Sequence, residues 1–431
     1  MKKLAFAFIT LAAAASSQAV DLKSVFEQAV SNDPQLAAEL ASANANAQTQ
    51  GLAGQAILPT ITLTAEKSVT ELEGTPTTDG SFDKTSYGVN LSQPILSPAT
   101  WYSYAAASST TDSAEIELRK AEQGLVVRVS EAYFDVLRAN ASLASAKAQE
   151  AAVKRQLEQT QQRFKVGLIA ITDVHEAQAI YDGATVDLIE ADSQLDIAYE
   201  SLALLTGERY DRINPLKENI PLAGPVPSDR NHWEQRALAQ NLDVLIAQKS
   251  GLSAERNHQS KKAEHLPTVN LVGSYSVSED EKSFGGAEVD TTYVGLQLSM
   301  PLYAGGATWA GQKQAYYQRQ AAEKGLEAAE RGASLTVRSL FRTLEADVAR
   351  IKARKQAKTS AQSAMEATQT GYEVGTRNIV EVLQAQLSVF GAQKDYAFSR
   401  YDYVIDLLKF RQAVGELSMA DIEEINGWLQ N

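Results

Sequence analysis

The chain has 431 residues, a formal net charge of −13 at pH 7 and no cysteine. The acidic balance, without any cluster of Lys and Arg, argues against a nucleic-acid-binding surface, because phosphate recognition needs clustered basic side chains. The absence of cysteine excludes disulfides, thiolate chemistry and a lipid-modified N-terminal cysteine.

The N-terminus has the pattern of a secretory signal peptide over residues 1–19. Lys2 and Lys3 precede a short apolar run, and Ser17 and Ala19 are the small residues before the predicted cleavage point. The apolar run is too short to span a bilayer, and no other stretch reaches roughly 18 consecutive apolar residues. We therefore expect the mature chain to be exported and to cross a membrane only as β-strands.

Short patterns recur at an almost constant offset, which indicates two structural repeats. The stretch that begins at Arg163 returns at Gly371, and Leu58-Pro59-Thr60 returns as Leu266-Pro267-Thr268, in both cases about 208 residues later. We predict one repeat over residues 20–210 and a second over residues 230–431. A proline-rich linker, residues 211–229, separates them.

Each repeat is predicted to run helix, strand, loop, strand, long helix, tip and helix. The first helix begins at Leu22, and a second begins after Asp33, the predicted N-cap, with Pro34 at its first position. Beyond Leu58-Pro59 the apolar period changes from 3.6 to 2. This alternation predicts strands at about residues 59–70, 85–96, 267–278 and 291–302.

The predicted strands have one apolar face and one face of small polar residues, which is typical of transmembrane β-barrels. Alternation alone fits equally well the half-buried strands of a soluble sheet, but the signal peptide favours the barrel. Four strands in a membrane leave two unpaired edges, and each unsatisfied backbone group costs several kcal/mol. Closure therefore requires more than one chain, although the strand count does not choose between two and three.

Two long helical patterns, at about residues 100–163 and 309–370, contain no proline. Abundant small residues suit close packing of these helices, each of which would be roughly 90–100 Å long at about 1.5 Å per residue. A Val-Gly turn and an antiparallel partner helix follow each of them, at about residues 172–205 and 379–414. We call the two hairpin ends tip 1, residues 162–174, and tip 2, residues 371–384.

These features resemble the TolC family of outer-membrane efflux proteins over about residues 21–429. The most specific matches are tip 1, the start of tip 2, and the strand ends at residues 265–268 and 299–306. The resemblance implies a homotrimer whose 12-stranded outer-membrane β-barrel continues into a long periplasmic α-helical barrel that closes at the tips. It also implies a passive outer-membrane duct of a tripartite efflux or type I secretion system, extending into the periplasm.

By resemblance, the partners are a periplasmic adaptor protein, an inner-membrane pump of the RND, ABC or MFS type, and outer-membrane lipid. No cofactor or metal is implied. Adaptors would contact the turn residues of both tips, which are Val166, Gly167, Leu168, Val374, Gly375 and Thr376. By motif position, a bonding network that closes the tips, here called the latch, comprises Gln162, Thr172, Asp173, Tyr372 and Arg377.

The latch residues have suitable chemistry. The guanidinium of Arg377 offers a fork of donors to a carboxylate, and Asp173 can accept from both Arg377 and the Tyr372 hydroxyl. The alternative interpretation is that Asp173 only caps its helix and that Arg377 is solvated.

Glu381 and Gln384 match the positions of two acidic rings at the family's narrowest point. Acidic rings concentrate cations. Because Gln384 is neutral, cation selectivity is expected only in weakened form. Glu381 alternatively belongs to an ordinary solvated helix face.

Catalytic patterns are missing from the sequence. The four histidines show no metal-ligand spacing, and neither a Ser/His/Asp set nor a carboxylate pair can be defended. The chain is therefore predicted not to be an enzyme. Two other functions were weighed: a surface or periplasmic coiled-coil structural or adhesion protein, and a soluble periplasmic helical binding protein. A stalk needs neither repeated tips nor strand pairs, which favours the duct.

Overall fold

The computed structural model of the chain describes residues 19–73, 80–280 and 286–430. Apart from Ala19, the predicted signal peptide lies outside the described residues. The described residues form two compact units. Among the described residues, unit 1 comprises 19–38, 121–241 and 333–430, and unit 2 comprises 39–73, 80–120, 242–280 and 286–332. Each unit therefore combines segments from both predicted repeats.

Unit 2 contains a four-stranded antiparallel sheet in the order β1-β2-β3-β4. The strands are β1 (Thr60–Leu72), β2 (Gly80–Leu96), β3 (Thr268–Asp280) and β4 (Glu288–Ser299). Two of them begin earlier than the alternation pattern predicted, since β2 was expected from about residue 85 and β4 from about residue 291. The reason is that polar residues extend the strand pairing beyond the alternating apolar segment. In β2, for example, Lys84 pairs with Ser68 of β1 and with Asp280 of β3.

The strand register places apolar side chains of all four strands on one face. Leu63, Val89 and Tyr275 form one cross-strand row, and all three are exposed. Along β4 the exposed residues Val294, Leu296 and Leu298 continue the same face, because they pair with the apolar-facing positions of β3. A contiguous exposed apolar face of this kind marks a surface that contacts a membrane or another protein.

Helices that contribute residues to unit 2 are α2 (Pro34–Gln55), α3 (Pro98–Lys165), α6 (Leu242–Ala263) and α7 (Ala307–Glu373). Of these, α2, α3 and α7 also contribute residues to unit 1. Small polar side chains join α3 to α6, as between Ser103 and Ser260, whose hydroxyl oxygens are 2.8 Å apart. Among the helices of the described residues, none combines the length and the apolar character that crossing a membrane requires.

Unit 1 adds α1 (Leu22–Asn32), α4 (Ile171–Thr206), α5 (Arg230–Gln240), α8 (Ile379–Val414) and α9 (Met419–Asn426). Its apolar core includes the fully buried side chains of Tyr133 and Phe134, and Tyr133 donates its hydroxyl to the Asn214 carbonyl at 2.7 Å. The predicted capping role of Asp33 is confirmed, because its carboxylate accepts from the Leu36 amide at 2.9 Å. The same carboxylate pairs with Arg128 at 2.6 Å.

Glycines at matching positions end α4 and α8. Gly207 has φ of 75° and Gly415 has φ of 90°, so both adopt the left-handed conformation that favours glycine. Their surroundings differ. A Cβ on Gly207 would be 3.6 Å from the nearest atom, in Asn32, whereas a Cβ on Gly415 would overlap the backbone carbonyl of Gln240.

We expect Gly207→Ala to lower the free energy of unfolding by about 1 kcal/mol, through backbone strain alone. Gly415→Ala should lower it by about 3 kcal/mol or more, because backbone strain is joined by a clash that only a backbone shift relieves. Thermal unfolding of the two variants in detergent checks this difference. Equal destabilisation would contradict it.

A carboxylate is buried where α7 packs near α8. The side chain of Asp347 is only 1% exposed and pairs with Arg350 of its own helix at 3.0 Å. Burial, the neighbouring carboxyl of Asp406 and the more distant Asp402 raise the pKa of Asp347 to about 6. Burial raises the pKa of Asp406 as well, although Lys409 opposes this.

Because the pKa of Asp347 is higher in the folded state than the ordinary value of about 3.9 for an aspartate, the protonated form is the one that stabilises the fold. This stabilisation is complete below about pH 4 and is lost as the pH rises through about 6. Asp347→Asn should therefore be more stable than wild type at pH 8, by up to about 3 kcal/mol, and nearly equal to it at pH 4.

Thermal unfolding at the two pH values measures this difference. The matched control is Glu345→Gln, which neutralises an exposed carboxylate of the same helix. A gain in stability that is the same at both pH values would contradict the assignment.

Candidate functional site

Tip 1 is a tight turn between α3 and α4. The amide of Leu168 donates to the carbonyl of Arg163 at 3.0 Å, and Gly167 has φ of 74°. Because this φ is positive, the turn requires glycine at that position. On either side of Gly167, the side chains of Val166 and Leu168 are 70% and 73% exposed.

Tip 2 repeats the same backbone design between α7 and α8. Gly375 has φ of 81°, and the amides of Thr376 and Arg377 donate to the carbonyl of Gly371 at 2.8 and 3.2 Å. Val374 is 70% exposed. Each tip therefore presents apolar side chains to solvent on a turn whose backbone conformation is fixed by glycine.

The first turn of α8 is capped by a residue that sequence reasoning missed. The Asn378 side chain accepts from the Glu381 amide at 2.9 Å. Asn at this position, three residues before an acid, is an N-cap pattern that could have been recognised. This cap fixes the position of the Glu381 backbone in the first turn of α8.

Within one copy of the chain, the structure does not bring all the predicted latch residues together. Arg377 Nη1 lies 2.6 Å from Glu381 Oε2, so the arginine is paired inside tip 2. Asp173 accepts from the neighbouring Thr172 hydroxyl at 3.5 Å. Across the part of the chain that the structure describes, no hydrogen bond joins Asp173 to Arg377 or Tyr372. Gln162 is exposed near the end of α3.

Tyr372 is packed inside its own chain. It is 8% exposed and forms an apolar cluster with Val153, Ile379, Val382 and Leu383. The guanidinium carbon of Arg163 lies 4.7 Å from the centre of its ring, which is a cation–π contact between tip 1 and tip 2. Sequence reasoning missed Arg163, because periodicity in one chain does not identify the aromatic partner of a tip arginine.

Gly371 is required for a different reason from the turn glycines. A Cβ at this position would lie 2.7 Å from Cγ of Arg377 and 3.2 Å from the Thr376 hydroxyl. The Arg377 side chain therefore passes directly over the bare Cα of Gly371 as it leaves the turn.

The predicted constriction residues lie on the side of α8 away from its buried face. Val382 and Leu383 are fully buried, whereas Gln384 is exposed and the Glu381 side chain is 35% exposed. Residues three apart share one helix face, so Glu381 and Gln384 are neighbours there. One acidic and one neutral side chain thus form this polar face.

Among the described residues, no group of three His, Cys, Asp or Glu side chains is arranged to bind a metal ion. His175, two residues after Asp173, is exposed on α4. The site thus combines exposed apolar side chains on two glycine turns with one solvent-exposed ion pair, Arg377–Glu381.

The comparisons with known proteins agree on one family. The family model described as "Outer membrane efflux protein" matches residues 25–208 and again residues 233–416. The outer membrane protein TolC of Vibrio cholerae is 37% identical over 437 residues, covering 100% of this chain and 99% of the relative. The alkaline protease secretion protein AprF of Pseudomonas aeruginosa is 27% identical over 94% of this chain and 86% of its own length.

Solved structures share the fold. The crystal structure of the Campylobacter jejuni CmeC outer membrane channel has a TM-score of 0.82 to this chain, covering 95% of it and 90% of CmeC. The two sequences are 17% identical, so this similarity concerns the fold alone.

We expect Arg163→Gln to loosen tip 2, because it removes the cation that covers the ring of Tyr372. A cation–π contact at an exposed site contributes about 0.5–1 kcal/mol, which corresponds to roughly two- to fivefold faster local opening. Hydrogen exchange of residues 371–377, measured by mass spectrometry, checks this. The control Lys165→Gln removes a nearby exposed charge and should leave exchange unchanged. Equal effects in both variants would exclude a specific contact.

Proposed function

This chain belongs to the outer membrane efflux protein family, and we propose on that basis that it is a passive exit duct for efflux or type I secretion. It is an outer membrane protein that extends into the periplasm. The observation that carries the proposal is the 37% identity to an outer membrane TolC over the whole chain. The cargo that we propose for this duct comprises drugs, detergents or proteins delivered from the inner membrane.

The proposed assembly is a homotrimer with a 12-stranded β-barrel. Within one chain, β1 and β4 are the edges of the sheet, and the outer backbone groups of both strands need partners in a membrane. Three copies joined edge to edge would supply those partners. The exposed apolar face across all four strands supports contact with outer-membrane lipid.

We also propose that the two halves of the chain are equivalent structural repeats. The family model matches each half separately, and each half contains two strands followed by a long helix, a tip and a 36-residue helix. Equivalent tips would then alternate around a closed tube of helices, with two tips from every copy.

The proposed docking surface for a periplasmic adaptor is the pair of tip turns. Val166, Leu168 and Val374 are exposed apolar side chains on rigid turns, which suits a protein partner better than solvent. Gly167 and Gly375 keep the turns narrow, and Thr376 completes the second turn by donating its hydroxyl to the Gly371 carbonyl at 3.0 Å. An inner-membrane pump of the RND, ABC or MFS class would deliver the cargo.

We propose that the latch operates between neighbouring copies. Asp173 and Arg377 are not bonded within one chain among the described residues, and contact between the tips of adjacent copies would allow them to pair. Exposed ion pairs contribute only about 0–1 kcal/mol each, which allows a partner protein to open them. Repetition in three copies would make the closed state cooperative.

The double variant Asp173→Ala with Arg377→Ser should raise the conductance of the purified channel in planar lipid bilayers, because it removes both charges of the latch. A matched control is Asp187→Ala with Arg155→Ser, which removes two charges from the adjoining helices. Unchanged conductance in the latch variant would exclude the latch while leaving the duct proposal intact.

Deletion of the protein tests the duct itself. We expect the deleted strain to become sensitive to bile salts and to several antimicrobial compounds, or to lose a secreted protein. A strain with neither defect would contradict the proposed function.

A further inference from the structure

The only charged partner that Arg377 contacts among the described residues is Glu381. Arg377 precedes the N-cap of α8, and its Nη1 lies 2.6 Å from Oε2 of Glu381 in the first turn of that helix. The Glu381 amide is capped by Asn378, which fixes the backbone position of the acid. The residue that would line the constriction therefore binds the residue that would close the latch.

The backbone directs Arg377 toward this partner. Its amide, together with that of Thr376, is tied to the Gly371 carbonyl, and its side chain crosses α7 where Gly371 has no Cβ. From that crossing, the first turn of α8 is in reach. The pairing follows from the geometry of tip 2 and needs no second copy of the chain.

The pair is weak enough to exchange. The Arg377 side chain is 59% exposed and that of Glu381 is 35% exposed, so water screens their attraction. Glu381 thus retains Arg377 without immobilising it.

We propose that Glu381 competes with Asp173 for Arg377 and thereby limits how firmly the tips close. This inference rests on the latch described under the proposed function. When Arg377 is paired with Glu381 of its own chain, its charge is offset and its guanidinium is occupied. In the same state, Arg377 also offsets the charge of Glu381 at the constriction. Arg377 would therefore influence both the closing of the tips and the attraction of cations.

Changing the length and the charge of the side chain at position 381 separates the effect on gating from the effect on cation attraction. Glu381→Gln removes both the charge and the competition. Glu381→Asp keeps the charge at the constriction, but its side chain is one methylene shorter and reaches Arg377 less well. The open fraction should therefore depend on whether the side chain at position 381 is long enough to bind Arg377. Block by a trivalent cation should depend on whether that side chain is charged.

The experiment records single channels of the full-length protein in planar bilayers, with hexaamminecobalt(III) as the blocking ion. Both Glu381 variants should lower the fraction of time spent open, about twofold for each copy and several-fold in an assembly of three. Block should weaken in Glu381→Gln and persist in Glu381→Asp. The control Glu373→Gln neutralises an exposed acid of tip 2 and should match wild type.

Arg377→Ser tests the dependence on the arginine. In that background Glu381→Gln should no longer change the open fraction, although it should still weaken the block. If Arg377→Ser alone leaves gating unchanged, the latch is excluded and the competition with it. If Arg377→Ser opens the channel but both Glu381 variants gate like wild type, only the competition is overturned.

Discussion

The pairing of backbone polar groups is the constraint on which this structure depends. Each chain contributes a sheet whose two edge strands, β1 and β4, lack an outer neighbour among the described residues. In a membrane such edges are tolerated only when another chain completes the ladder, because each unsatisfied group costs several kcal/mol. The proposed assembly of several copies would satisfy this constraint, because each edge strand would then have a partner.

Sequence patterns predicted the features that short-range physics determines. Alternating apolar residues identified all four strands, and the Val-Gly turns identified both tips, since positive φ at Gly167 and Gly375 requires glycine. The first residues of β2 and β4 were less predictable. In β2, for example, polar residues such as Lys84 extend the pairing with both neighbouring strands beyond the alternating apolar pattern. Side-chain partners were beyond reach. That Arg163 covers the ring of Tyr372 depends on the distance between two hairpin tips, which are far apart in the sequence. That Arg377 pairs with Glu381 depends on the backbone conformation of the turn before α8, which apolar periodicity does not report.

The two tips show how one backbone design can support different tasks. Both turns use a left-handed glycine and expose apolar side chains, which would give a partner protein a repeated docking shape. Their polar residues differ. Within the described residues, the side chain of Asp173 in tip 1 accepts a hydrogen bond only from its neighbour Thr172, whereas Arg377 in tip 2 is already paired with Glu381. The two tips therefore share a backbone conformation but differ in their charged side chains and in the partners of those side chains.

The interleaving of the two compact units bears on the order of folding. Unit 2 uses no residue beyond Gly332, whereas unit 1 needs segments from both ends of the chain. Asn426 donates to Asp21 at 2.8 Å, and Lys23 pairs with Glu423 at the same distance, so α1 is anchored by the last helix. A chain that emerges from a translocation pore N-terminus first can complete unit 2 while unit 1 still waits for its final segment. Closing so long a loop is slow, and until α9 is in place α1 lacks one of the two helices against which it packs.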